Sequence, residues 1–232
     1  MSSSIRKLTR RQRKALRTRQ NILKTSSDLF SSKGYDNVTM DEISEETDLS
    51  RATLYNYYGS KEAIYFEIGR RSLSEMNDNQ RKLVENGGTG RELILLLVND
   101  SLKHLFEDSL LHDIIRQYSI SNAQNQTPSH IILKRIESGG VVEDPVQLAL
   151  ASFLKEMRRF EKNWTDIIEL GYRDGSIQNN VLNTEQLSHF LFLVILGIAD
   201  RADLDKVLLN SIDMPIEKVV SVTVELIKNY LG

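Results

Sequence analysis

The sequence predicts an all-α protein, and three observations lead to that fold class. Apolar residues recur at intervals of three and four along most of the 232 residues, which is the spacing of one helix face. No stretch of useful length alternates as a strand does, and the sequence has only three prolines. Its 40% hydrophobic content is enough for a packed core. We expect two helical domains that share a long helix, at residues 1–62 and 63–232.

The N-terminal quarter of the chain is basic although the whole chain is slightly acidic. Residues 1–61 hold 12 Lys or Arg and 7 Asp or Glu, whereas the rest of the chain holds 18 and 25. The pattern predicts a first helix from about Thr9 to Gly34, and residues 1–8 form either a solvated tail or an arm for a minor groove. An acid-free basic run is the electrostatic pattern of a phosphate-binding surface. The run comprises Arg6, Lys7, Arg10, Arg11, Arg13, Lys14, Arg17, Arg19 and Lys24.

A helix-turn-helix pattern follows the first helix. Thr39 and Glu42 have the spacing of a capping box, so a short helix begins there. The turn falls at Asp48, and Ser50 caps a second short helix over residues 51–58. In a helix-turn-helix the second helix lies in the major groove, with its N-terminal residues at the base edges. This stretch therefore predicts a DNA-reading unit.

The pattern resembles the DNA-binding domain of TetR/AcrR-type transcriptional repressors over roughly residues 17–66. Two departures stand out: Thr47-Asp48 replaces the family's Ala-Gly, and Tyr58 replaces its Phe. Asp tolerates the left-handed backbone that Gly supplies, so we expect the turn to form. The matching residues are Ile22, Leu23, Leu29, Phe30, Lys33, Gly34, Tyr35, Val38, Thr39, Met40, Ile43, Leu49, Ser50, Thr53, Leu54, Tyr55, Tyr57, Tyr58, Ser60, Lys61 and Glu62.

The resemblance, together with the helix-turn-helix pattern, gives a set of expected DNA contacts. Lys61 lies in the first turn of a helix capped by Ser60, where its charge and the free amides suit a phosphate. Side chains of the second short helix would meet bases or flanking phosphates. The alternative is a small helical bundle whose Tyr and Arg side chains are surface groups. The expected set is Thr39, Arg51, Ala52, Thr53, Tyr55, Asn56, Tyr57 and Lys61.

The remaining chain reads as helices separated by polar or glycine-rich breaks. A fourth helix runs from Ser60 to a break that begins at Asn86, and it could act as a lever between the two domains or as a plain connector. Polar residues 121–129 and Gly139-Gly140 are breaks, and Asp144-Pro145 begins a long helix that Asp174-Gly175 ends. The other expected helices cover residues 91–106, 109–120, 131–137, 184–200 and 215–231.

One aromatic stripe on the long helix suggests a ligand pocket. The resemblance implies a C-terminal bundle that holds a small molecule, and such pockets are apolar with a few polar groups. Plain core packing is the alternative, and a salt bridge would equally explain Arg116. The candidates are Phe153, Met157, Phe160, Trp164 and Tyr172, facing Ile114, Arg116 and Tyr118.

The helix expected at residues 184–200 is apolar almost all round, so both of its faces need covering. Together with the last helix it could form a four-helix interface with a second copy, and the resemblance implies a dimer through these two helices. Burial within a monomer is the alternative. The candidate interface residues are Leu187, Phe190, Leu191, Val194, Ile198, Val219, Val222 and Leu226.

Several classes of site and location are disfavoured by the sequence. Without cysteine there is no disulfide framework, and no catalytic motif or cofactor fingerprint appears, so we expect no enzyme and no cofactor. His104, Asp108 and His112 recur every four residues and could bind a divalent ion, but a helix boundary beside Asp108 would break that face. The apolar run 190–199 is too short to span a bilayer. We expect a cytoplasmic protein without membrane contact.

The sequence thus predicts a homodimeric, ligand-responsive regulator that binds an operator in double-stranded DNA, most simply as a repressor. A small hydrophobic or amphipathic effector would release it. A DNA-binding dimer without an effector and a metal-responsive regulator are the alternatives.

Overall fold

The computed structural model describes residues 9–123, 138, 143–178 and 181–232. These ranges contain ten α-helices and no strand, which confirms the all-α prediction. The helix expected at residues 131–137 and the break at Gly139-Gly140 lie outside them. The helices are α1 Arg10–Lys33, α2 Met40–Glu46, α3 Arg51–Tyr57, α4 Lys61–Glu85, α5 Gly90–Glu107, α6 Ser109–Ala123, α7 Pro145–Asp174, α8 Thr184–Leu204, α9 Lys206–Ser211 and α10 Ile216–Leu231.

The described residues belong to two compact units. The first contains residues up to 70 together with those described between 120 and 153, and the second contains residues 71–119 and 154 onward. The boundary expected between residues 62 and 63 therefore lies inside α4. No described helix is long and apolar enough to cross a membrane.

Helix α1 has the ends that its sequence predicts. The Thr9 hydroxyl accepts from the Gln12 amide at 3.2 Å, and the Gln12 side chain accepts from the Thr9 amide at 2.9 Å. At the other end Gly34 has φ +80° and donates its amide to Phe30 O at 2.9 Å. Only glycine adopts that conformation readily, so the helix ends there. The inward face buries Ile22, Leu23, Ser26, Leu29 and Phe30.

Three aromatic rings join the elements of the first unit. Tyr35 lies in a short 3-10 turn, Tyr35–Asn37, that the sequence did not predict. Its ring centroid is 4.2 Å from that of Tyr65 on α4, and the Phe30 centroid is 5.7 Å from Tyr65. This cluster fixes the start of α4 against α1 and the turn that leads into α2.

Helix α5 is central to the second unit, where it packs against α8 and α10. Thr89 and Glu92 form the capping box at its start. Gly90 meets Gly171 of α7 so closely that a Cβ on Gly90 would lie 2.1 Å from the Gly171 nitrogen. The Gly90 amide also donates to Asp174 Oδ2 at 2.8 Å. The buried residues of α5 are Gly90, Leu93, Ile94, Leu97, Val98, Ser101, Leu102 and Leu105.

Candidate nucleic-acid interface and effector cavity

Helix α2 is held at its N-terminus by the pair of residues that the sequence singled out. The Thr39 hydroxyl accepts from the Glu42 amide at 3.2 Å. The Lys33 ammonium of α1 donates to the Glu42 carboxylate, which lowers the pKa of Glu42 and raises the pKa of Lys33. A hydrogen bond from the Thr39 amide also lowers the pKa of Glu42. The pair ties α2 to α1.

The turn between α2 and α3 takes the conformation expected of Asp48. Its φ is +54°, in the left-handed region. Ser44 Oγ donates to Leu49 O at 2.7 Å, and Leu49 N donates to Ser44 O at 3.0 Å. The buried Thr47 hydroxyl donates to Ile43 O at 2.6 Å. The departure from Ala-Gly therefore still gives a tight, hydrogen-bonded turn.

Helix α3 presents its predicted reading side chains at the surface. The Ser50 hydroxyl accepts from the Thr53 amide at 3.2 Å and caps the helix. Leu54 is 0% exposed and anchors α3 to the core. The guanidinium of Arg19 lies 5.6 Å from the ring centroid of Tyr57 and 5.7 Å from that of Tyr58. Arg51, Ala52, Tyr55 and Asn56 are exposed, and Thr53 and Tyr57 are half-buried.

A groove of about 400 Å³ lies beside α3 and gathers four of the eight expected DNA contacts. It also contains an acid that sequence reasoning missed. Asp41 Oδ1 lies 2.5 Å from Arg51 Nε, as an ion pair rather than an aligned hydrogen bond. The lining residues are Val38, Thr39, Met40, Asp41, Arg51, Tyr55, Ser60, Lys61 and Glu62.

Lys61 has internal partners that its position in the sequence did not reveal. Its Nζ donates to Tyr35 O and Val38 O, both at 2.8 Å, and lies 4.2 Å from the Tyr35 ring centroid. The side chain thus fixes the segment that leads into α2. A phosphate contact by Lys61 remains a prediction.

In the second unit, a cavity of about 550 Å³ lies between α7 and α8. Three aromatic rings belong to it: the Phe160 centroid is 5.6 Å from that of Trp164 and 6.1 Å from that of Phe192. The indole Nε1 of Trp164 is buried and has no hydrogen-bond partner within the described structure. The cavity is lined by Arg158, Phe160, Glu161, Lys162, Trp164, Thr165, Glu185, Ser188, His189, Phe192 and Ile195.

Only Phe160 and Trp164 of the eight candidate ligand residues line this cavity. Phe153 belongs to the first unit and packs on Phe66, with centroids 6.0 Å apart. The helical period places these residues on one face of α7, but it does not show that α7 contributes residues to both units. The other five are placed separately: Ile114 and Met157 are buried, Tyr118 is half-buried, Arg116 donates to Asp113 at 2.7 Å, and the Tyr172 hydroxyl donates to Leu182 O at 2.7 Å.

The candidate dimer residues divide between two faces. Leu187, Leu191 and Val219 are buried within the protomer. Val194 and Ile198 are half-buried. Phe190, Val222 and Leu226 are 40%, 42% and 65% exposed, and Leu193, which was not among the candidates, is 56% exposed. The Phe190 and Tyr230 rings lie 5.6 Å apart and join the exposed faces of α8 and α10.

The histidine cluster is divided by the helix boundary beside Asp108. Helix α5 ends at Glu107 and α6 begins at Ser109. His104 Nε2 and Asp108 both bond the Ser72 hydroxyl, whereas His112 Nε2 lies 3.0 Å from Asp200 Oδ1. No group of three metal-ligating side chains comes together in the part of the chain that the structure describes.

Comparison with known sequences matches residues 22–68 to the family described as bacterial regulatory proteins, tetR family. The chain is 46% identical over 44 residues to the biofilm operon icaADBC HTH-type negative transcriptional regulator IcaR of Staphylococcus epidermidis, a match covering 19% of this chain and 24% of that protein. It is 22% identical over 164 residues to the HTH-type transcriptional repressor KstR2 of Rhodococcus jostii, covering 70% of this chain and 69% of KstR2.

Solved structures share the fold at low sequence identity. The fatty acid degradation regulator FadR from Bacillus halodurans superposes with a TM-score of 0.64 at 14% identity, covering 92% of this chain and 94% of that one. FadR from Bacillus subtilis, solved in complex with stearoyl-CoA, gives a TM-score of 0.63 at 14% identity over 92% and 99%. Identity this low establishes a shared fold and nothing about the ligand.

Proposed function

We propose that this chain, a member of the tetR family of bacterial regulatory proteins, is a dimeric cytoplasmic repressor that leaves a two-fold symmetric operator when a small hydrophobic or amphipathic effector binds. Its curated relatives are transcriptional regulators, which places the chain with regulators rather than with enzymes. The proposal concerns the operator, the dimer and the effector.

The capped α2-turn-α3 unit with its exposed reading face carries the proposal. Within α3 the Leu54 side chain is buried, whereas Arg51, Tyr55 and Asn56 are exposed to solvent. An exposed arginine at the start of a recognition helix suits the acceptor edge of guanine, which it can contact bidentately. The basic residues Arg10, Arg13, Lys14 and Arg17 are also exposed and would add phosphate contacts.

The exposed apolar face of α8 and α10 supports a dimer. Four large side chains, Phe190, Leu193, Val222 and Leu226, lie outside the protomer core. A second copy related by a two-fold axis would cover them with the same face. A two-fold dimer carries two copies of α3, one for each of two operator half-sites, which lie about one DNA turn apart, roughly 34 to 36 Å.

The cavity between α7 and α8 is the proposed effector site. Its volume of about 550 Å³ suits a drug-sized molecule. Its aromatic rings would hold an apolar body, and the Trp164 N–H, which has no hydrogen-bond partner within the described structure, would suit a polar group of the effector. The Bacillus subtilis relative in fold was solved with stearoyl-CoA, which is amphipathic. Effector binding would favour a packing of the dimer in which the two α3 helices no longer match the half-sites.

The first test is binding to the DNA upstream of the chain's own gene, at several salt concentrations, with random duplex as the control. We expect two-fold symmetric protection and an affinity well above that for random duplex. Adding candidate effectors should weaken the complex. At a hundred times its dissociation constant an effector should raise the free energy of unfolding of the free protein by about 2.7 kcal/mol, which thermal melting detects as a higher melting temperature. Binding no tighter than to random duplex would contradict the assignment of this operator.

A further inference from the structure

We infer that the start of α7 sets the orientation of the recognition helix, through packing of Pro145 on Gly59, the glycine that follows α3. Pro145 is then a positioning residue for DNA binding. The inference rests on the proposed function of the first unit as a DNA reader. It adds to that proposal a helix that is not part of the helix-turn-helix.

Gly59 and Pro145 lie in close contact within the first unit. A Cβ added to Gly59 would lie 2.8 Å from Pro145 Cγ and 3.0 Å from Pro145 Cβ. Carbon atoms that are not bonded pack best about 3.5–4.0 Å apart, so no side chain fits between these residues without movement. The φ of Gly59 is not positive, so its backbone would accept alanine. Contact with Pro145, rather than backbone conformation, is therefore what requires glycine here.

The start of α7 is held firmly on its own side of this contact. Asp144 Oδ1 accepts from the amide of Val146 at 2.7 Å and from that of Gln147 at 3.1 Å, which caps the helix. Farther along, the fully buried Phe153 packs on Phe66 of α4, with ring centroids 6.0 Å apart. These contacts fix the first turns of α7 within the unit that contains α3.

Helix α3 has fewer anchors than α7. Of its seven residues, all of which the structure describes, only Leu54 is buried. Its C-cap is Tyr58, which donates its amide to Leu54 O at 3.0 Å and directly precedes Gly59. A side chain forced between Gly59 and Pro145 should therefore displace the end of α3 rather than the 30-residue α7. Hydrogen bonds to base edges need close alignment, so a displaced α3 loses them.

Pro145 also has an ordinary structural explanation, because proline is favoured at the first position of a helix. That role concerns α7 alone, so its effect would not depend on the residue that replaces Gly59. The effect of a contact between the two residues does depend on it. Combining substitutions at both positions therefore separates the two roles.

The test compares the full-length wild type with Gly59→Ala, Pro145→Gly and the double variant on operator and on random duplex. We expect Gly59→Ala to bind the operator about tenfold less tightly, because base contacts of α3 lose their alignment. Its random-duplex affinity should change by about twofold or less, since that binding depends on phosphate charge.

The double variant should recover most of the wild-type ratio of operator to random affinity, because removing the proline ring makes room for the new methyl group. Pro145→Gly alone should lower the ratio less than Gly59→Ala does. Pro145 is otherwise exposed, so replacing it opens no cavity in the core.

Two further measurements control for folding and for helix stability. Gln147→Gly places a glycine at an exposed position in the same turn of α7 and should keep the wild-type ratio. Thermal melting of each variant checks that the protein is folded. Hydrogen exchange of the Tyr58 amide in the free protein reports on the end of α3 without DNA. It should be faster in Gly59→Ala and return toward the wild-type rate in the double variant.

The inference is overturned if Gly59→Ala keeps the wild-type ratio, or if it lowers both affinities by the same factor. It is also overturned if the double variant binds the operator no better than Gly59→Ala does. If the wild type itself shows no operator preference, the repressor proposal fails. Exchange of the Tyr58 amide then still decides whether Pro145 holds the end of α3.

Discussion

At the scale of single residues, we predict that two cations of the first unit have different roles, Arg51 in base recognition and Lys61 in positioning. Arg51→Ala should relax base preference, because we predict that this side chain contacts the base edges. Lys61→Ala should weaken binding to all sequences alike and flatten the salt slope. It should also lower the melting temperature, since Tyr35 O and Val38 O lose their donor. The affinity of each folded variant for operator and for random duplex tests these two roles. The roles would be contradicted if Arg51→Ala and Lys61→Ala reduced operator affinity and random-duplex affinity by the same factors.

Asp48 gives a second prediction at this scale. Its φ of +54° strains a β-branched side chain and suits glycine. Asp48→Val should therefore destabilise the protein by about 1–3 kcal/mol. It should also weaken DNA binding, because this turn sets the orientation of α3 relative to α2. Asp48→Gly should keep both the melting temperature and the binding. If valine is tolerated as well as glycine, the left-handed turn is not what positions α3.

Some of these residues could be assigned from sequence and others could not. The caps at Thr9 and Ser50 are local signals, because donor and acceptor lie within three residues of each other. The partners of Lys61 lie 23 and 26 residues earlier in the chain. No period or motif predicts a contact at that separation, and the same holds for the pairing of Arg51 with Asp41.

At the scale of helices, the period predicted nine of the ten described helices but not α9, and it did not predict which neighbour covers each one. Helix α8 is apolar almost all round, as the sequence shows, yet only the structure separates buried Leu187 and Leu191 from exposed Phe190 and Leu193. Likewise the helical period predicts one pocket wall along α7, although Phe153 belongs to the first unit. Helix ends are encoded locally, whereas the choice of partner depends on the whole packing.

The junction of α5 and α7 gives a pH-dependent prediction. Hydrogen bonds from Ser176 and from the Gly90 amide lower the pKa of Asp174. A carboxylate with a depressed pKa stabilises the fold above its unfolded pKa, and that contribution is lost as pH falls through the folded value. Wild type should therefore melt above Asp174→Asn at neutral pH, and the difference should shrink below about pH 4.

Melting temperatures of both variants between neutral and acidic pH measure this contribution. Glu169→Gln removes a charge from an exposed position on the same helix and serves as the control. Its difference from wild type should change less with pH. A constant difference between wild type and Asp174→Asn across the range would show that the carboxylate charge does not hold this junction.

At the scale of the whole molecule, the proposed operator binding depends on two copies acting together. The exposed face formed by Phe190, Leu193, Val222 and Leu226 has no cover within the described protomer, and Leu226 is its most exposed side chain. Leu226→Glu places a charge in that face without entering the protomer core. It should halve the mass measured by sedimentation and weaken operator binding about 100-fold or more, because the DNA-binding unit of the second copy is no longer linked to that of the first.

The matched control is Val207→Glu on α9, where an 85% exposed apolar residue receives the same charge away from this face. It should remain dimeric and bind the operator as wild type does. Because the substitution does not change the first unit, Leu226→Glu should keep the random-duplex affinity expected of one DNA-binding unit. A Leu226→Glu protein that sediments as a dimer would place the interface elsewhere. A monomer that still protects both half-sites tightly would show that tight operator binding does not depend on a dimer formed through α8 and α10.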